Sequence, residues 1–127
     1  MPIETCTDVW KSLTIFTGKG ELTYKEVKDA IKAFYESDRT ECVLWNLQAA
    51  STDSISPSQV KQIASLLTQY SEVRKGVRTA IVSSRDMTFG LARMLVTMLE
   101  VKAQNISLFM HVFRTIDEAY HWLFDGK

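Results

Sequence analysis

Three helix-start signatures, each preceded by an apolar run of strand length, constrain this chain more than any other feature. Thr23-x-x-Glu26, Ser56-x-x-Gln59 and Thr115-x-x-Glu118 are capping boxes. In each, the hydroxyl accepts from the amide three residues on, and the acid or amide side chain bonds back to the first residue's N–H. Repeated strand-then-helix order forces parallel strands and crossover helices. Sheets of this kind bind ligands at the carboxyl ends of their strands.

The periodicity fills in the rest. Residues 3–7 and 13–17 have strand character and predict an antiparallel hairpin turning through Asp8 to Ser12, after which Gly18-Lys19-Gly20 breaks the chain. Val27, Ala30, Ile31 and Phe34 then recur three and four apart, the inner face of a helix ending near Ser37-Asp38. The run from Cys42 to Leu47 is nearly all apolar, as a central strand covered on both faces requires. Gln48 to Ser56 reads as a polar loop, and Pro57 sits at the first position of a second helix, where its missing N–H costs nothing. That helix buries Val60, Ile63, Ala64, Leu67 and Tyr70. Residues 77–83 form a third buried strand, and Leu91, Met94, Leu95, Met98 and Leu99 stripe a helix from about Met87 to Lys102. Residues 106–113 give the last strand, and Ile116, Ala119, Tyr120 and Leu123 the inner face of a final helix. The expected fold is α/β: a mostly parallel sheet with an N-terminal antiparallel hairpin and four helices packed on its faces.

At 127 residues the chain suits one domain spanning residues 1–127, large enough to bury roughly two-thirds of its unfolded surface without a metal or disulfide staple. Fifteen basic residues balance fifteen acidic ones, so there is no basic field for a phosphate backbone and nucleic acid is not an expected partner. Cys6 and Cys42 lie in apolar-leaning segments without C-x-x-C spacing and are expected to be reduced core thiols. The first residues show no basic region followed by an apolar stretch, and no run approaches the ~18 apolar residues of a membrane span. A cytoplasmic location is expected.

Few residues advertise chemistry. His111 and His121 have no ligand partners at metal-binding spacing, so no metal is expected. There is no G-x-S-x-G elbow and no Walker-type loop, and Gly18-x-Gly20 lacks the third glycine of a dinucleotide site. No nucleophile and base pair up in the sequence, so neither catalysis nor a cofactor is expected. The strongest site candidate is the loop Ser83, Ser84, Arg85, Asp86, Met87, Thr88, Phe89 and Gly90, which leaves a buried strand and opens a helix. Amides, hydroxyls and the helix dipole converge there, and Arg85 and Arg93 are positioned to supply charge to an anion. The plainer alternative is that Ser84 or Asp86 caps the helix and Gly90 permits close packing. The hydroxyl-rich segment Gln48 to Ser56 opens at the same edge of a parallel sheet, either as a second wall of that cleft or as a simple crossover.

The element order, together with Gly20-Glu21-Leu22-Thr23, Val43-Leu44-Trp45-Asn46-Leu47, Arg78-Thr79-Ala80-Ile81-Val82, Phe89-Gly90-Leu91-Ala92-Arg93-Met94 and Val112-Phe113-Arg114 leading to Ala119-x-x-Trp122-Leu123, resembles the STAS domains of sulfate transporters and anti-sigma factor antagonists. It is most similar to their SpoIIAA-like branch, also described as STAS/SEC14-like. The resemblance implies a protein-interaction or regulatory module. In the antagonists a serine in an Asp-Ser-Ser-Gly-like motif at the start of the second helix is phosphorylated. The nearest residues here are Asp53-Ser54, followed by Ile55-Ser56-Pro57 where the motif has Ser-Gly-Leu, which makes Ser54 the candidate modification site. The SEC14-like description implies instead a carrier of a small apolar or anionic ligand, in a cleft at the strands' carboxyl ends. Either a protein partner or a homodimer is expected, the dimer through Trp122 and Phe124, which fall beside the core stripe of the last helix.

Overall fold

The computed structural model describes residues 3–37, 40–71, 77–102 and 109–125. Five strands and four helices alternate after an opening hairpin: β1 (Ile3–Asp8), β2 (Leu13–Glu21), α1 (Tyr24–Ser37), β3 (Cys42–Ser51), α2 (Pro57–Ser71), β4 (Arg78–Val82), α3 (Asp86–Lys102), β5 (Phe109–Phe113) and α4 (Ile116–Tyr120), which runs on into one π-helical turn, His121–Asp125. Of the last strand expected over 106–113, residues 106–108 lie outside the described residues.

The capping boxes at Thr23 and Ser56 start their helices as read. The Thr23 and Ser56 hydroxyls accept from the Glu26 and Gln59 amides, and both long side chains bond back to the first residue's N–H at 2.9 Å. At Thr115 the hydroxyl accepts from Glu118 N–H at 3.2 Å.

The strands lie side by side in chain order, β1-β2-β3-β4-β5, with β1 antiparallel to β2 and every later pair parallel. A β-α-β crossover is right-handed. Three crossovers stepping in one direction therefore place α1, α2 and α3 on one face. The side chains divide accordingly. Phe16, Val43 and Ile81 join Ile31, Phe34, Ile63 and Leu99 in one core, while Leu13, Leu44, Ala80 and Val82 meet Ala119 and Leu123 of the C-terminal helix on the other. β3 is the central strand, as expected, and each fully buried Leu or Val contributes about 1.5–3 kcal/mol. Cys42 belongs to the second core, and burial pushes its thiol above the usual range, so it stays protonated and packs as a small hydrophobe.

Several expectations need correcting. Gly18-Lys19-Gly20 does not break the chain, because β2 runs through it to Glu21. Gly18 is there because a Cβ would stand 3.1 Å from both Leu22 Cδ1 and Leu47 Cδ2, and Gly20 because its φ is +69°. The strand accommodates a register shift beside Thr17 and Lys19, where β3 carries one extra residue and Asn46 Oδ1 accepts from Gln48 N–H. Consequently Gln48 to Ser51 belong to β3, and the polar loop shrinks to residues 52–56. Cys6 is exposed on β1, an outer strand of the sheet. Trp122 and Phe124 are half-buried against the second core, with Trp122 packed on His111 and under the Arg78 guanidinium at 4.7 Å, so the exposed surface expected there is not present. On α3, Leu91, Met94, Leu95 and Met98 are only half-buried while Leu99 is buried.

The close approach at Gly18 has a measurable consequence. Gly18→Val should lower unfolding stability by about 1–3 kcal/mol through overpacking, read as a lower urea midpoint at unchanged slope. An unchanged midpoint would show that the neighbouring leucines yield freely.

Candidate functional site

All the strand-to-helix loops open on one edge, as parallel strands require, and side-chain hydrogen bonds tie each to its neighbour. The Ser54 hydroxyl donates to Leu22 O at 2.9 Å while its N–H donates to Glu21 Oε2, joining the β3–α2 loop to the β2–α1 junction. The Thr52 and Thr88 hydroxyls meet at 3.0 Å, both buried, joining that loop to the first turn of α3. Arg114 closes the row. Its Nη1 donates to Ser84 O at 3.1 Å and to Asp86 Oδ1 at 2.9 Å, and its guanidinium lies 3.9 Å over the Phe89 ring.

This network decides what each candidate residue is placed to do. Ser83 is fully buried. Its N–H extends the β4–β5 ladder to Phe113 O, and its Oγ accepts from Arg85 N–H. Thr88 faces inward and Phe89 lies beneath Arg114. Arg85 and Arg93 are both exposed, with Arg93 two turns along α3 from the loop. Gly90 is exposed, and a Cβ there meets nothing within 4 Å, so close packing is not its reason. The positive end of α3 is answered from within, since Asp86 sits in its first turn with its carboxylate on Arg114. At Ser54, a phosphate would forfeit the bond to Leu22 O and stand against the carboxylates of Glu21 and Asp53.

Arg114 had no functional signal in the sequence beyond its place in the resemblance. Register would have found it. With Val82 opposite Phe113 in a parallel pair, the next residue of β5's chain must lie beside Ser83 and Ser84.

Behind the stitched edge, between the sheet and α1–α3, is a cavity of about 90 Å³. Leu22, Leu47, Ile63, Leu95 and Met110 are among its walls, and Thr52 and Thr88 bring the only hydroxyls among the described residues lining it. No helix of the described residues is long and apolar enough to cross a membrane, and none of their His, Cys, Asp and Glu side chains gather in threes to hold a metal. No family model, no curated protein and no solved structure matches this chain.

The Thr52–Thr88 bond gives a double-mutant test. Thr52→Val strands a buried hydroxyl on Thr88 and should cost about 1–3 kcal/mol, whereas the double valine variant should return to within about 1 kcal/mol of the natural chain. Denaturant unfolding of the three variants measures both. Additive losses would mean that the two hydroxyls act independently.

Proposed function

We propose that this chain is a non-enzymatic, SpoIIAA-like module of the STAS type that works by protein association, its partner being a second copy bound at the free edge of β1. The observation that carries the reading is the hairpin. β1 is an outer strand with Glu4, Thr5, Cys6 and Thr7 all exposed, and it ends in a turn where Val9 is 82% and Trp10 98% exposed. An unpaired edge offers a row of amides and carbonyls as a template for another strand. Exposed tryptophan is the side chain most enriched among residues that dominate interfaces. The tip is held rigidly enough to present it: Asp8 Oδ1 accepts from Lys11 N–H, and Ser12, at φ 51°, bonds back to Val9 O and receives the Glu41 and Cys42 amides.

Symmetry restricts the pairing. A two-fold axis normal to the sheet keeps each face with itself, so some residue of β1 must face its own copy. Centred on Cys6, the pairing sets Glu4 opposite Asp8 of the second copy twice, and like charges directly opposite are destabilising. Centred on Thr5, it sets Glu4 opposite Cys6 and Ile3 opposite Thr7, with no charge conflict. The Thr5-centred ladder is the one we adopt.

Directly opposed residues of an antiparallel pair bring their Cα atoms to about 4.5–5.5 Å, within the Cα separation that a disulfide spans. Thr5→Cys in a Cys6→Ser background should therefore give a reducible dimer on mild oxidation, whereas the natural Cys6 gives little. A monomer by sedimentation at high micromolar concentration, with no disulfide dimer from the Thr5→Cys variant, contradicts the reading.

A further inference from the structure

The cavity beneath the Thr52–Thr88 pair invites an occupant whose size and polarity can be specified. We propose that it is a binding site for an uncharged alkyl group of three or four carbons, entering either as a small free molecule or as the end of a longer chain. This goes beyond association at the hairpin and uses none of its residues.

Size comes first. An apolar cavity of roughly 150 Å³ accepts benzene, so the 90 Å³ here matches a guest of about four carbons or fewer. Pockets for drug-sized ligands are several times larger. The walls set the polarity. None of the described residues lining the cavity is charged, and its two hydroxyls are bonded to one another at 3.0 Å. Water needs two to four polar partners to be held in such a place, and these walls reserve most of their surface for carbon.

The way in is marked by burial. Ile63, Leu67, Ile81 and Met110 are buried, whereas Val27, Trp45, Leu91 and Leu95 are half-buried and bring the cavity toward solvent. Leu91 and Leu95, from the half-buried stripe of α3, belong to this wall. A chain longer than four carbons would leave past Val27 and Leu91.

Methyl-labelled protein titrated with 1-butanol and with 1-decanol provides the test, followed through proton–carbon correlation spectra. The expected result is saturable shifts at Ile55, Ile63 and Leu95, and none at the exposed Val9 and Val101. Saturation by 1-decanol, with added shifts at Val27 and Leu91, assigns the end of a longer chain; saturation by 1-butanol alone assigns a free small molecule. Ala92→Leu fills the cavity from α3 and should abolish the shifts. Should that variant not fold, Ile63→Val decides: it enlarges the space by about one methylene and should move the preference from 1-butanol toward 1-pentanol about fourfold. Linear, unsaturating shifts in the natural chain overturn the proposal, as do shifts that survive Ala92→Leu or an unmoved preference in Ile63→Val.

Discussion

Right-handed crossover connections, repeated in one direction along the sheet, decide nearly everything else in this molecule. Strands laid in chain order β1 to β5 leave no point at which the order reverses. In doubly wound sheets that reversal parts the loops and opens a crevice for ligands. Here the loops stand in file instead, close enough for Ser54 to reach Leu22, Thr52 to reach Thr88 and Arg114 to reach Ser84. The edge where such a fold would normally bind something is therefore held shut by its own side chains. The room lies deeper, under the single helix layer that the same handedness assembles.

The second consequence concerns what the helices leave uncovered. The crossovers begin at β2, so the antiparallel β1 lies at the rim of the helix layer, where Ile3 packs on the first core while residues 4–7 are exposed whichever face they point to. Antiparallel attachment needs only a four-residue turn, and that turn carries the most exposed large hydrophobic side chain described, Trp10. A solvated edge strand is ordinarily protected by lysine, proline or a bulge. Glu4 and Asp8 are the charges within β1, and symmetry sets them against each other in one of the two central registers but not in the other. In the pairing we propose, that acidic pair would favour one register over its neighbour.

Much of this architecture was legible in the sequence because caps and periodicity are local. Thr23, Ser56 and Thr115 announce helices through bonds made within four residues, and the apolar run from Cys42 marks the central strand without reference to anything distant. What stayed hidden depends on partners far along the chain. Glycines 18 and 20 look like a break in isolation, and only the approach of Leu22 and Leu47 and a positive φ show why a strand would carry them. The extra residue in β3 is visible only against β2. Cys6 and Trp122 exchange their expected burial because it depends on which strand is outermost and where the last helix docks. At the candidate site, the loop from Ser83 to Gly90 was located correctly on the carboxyl edge, but the cation that reaches it is Arg114, brought there by parallel register instead of sequence proximity.

The free edge of β1 is the central claim, and amide hydrogen exchange measured residue by residue at increasing protein concentration tests it most directly. Amides of β1 that point away from β2 should exchange freely in dilute solution and gain protection as concentration rises, with those of β3 and β4 unchanged throughout. Exchange along β1 that is independent of concentration would contradict the account and leave the hairpin a solvated end of the sheet.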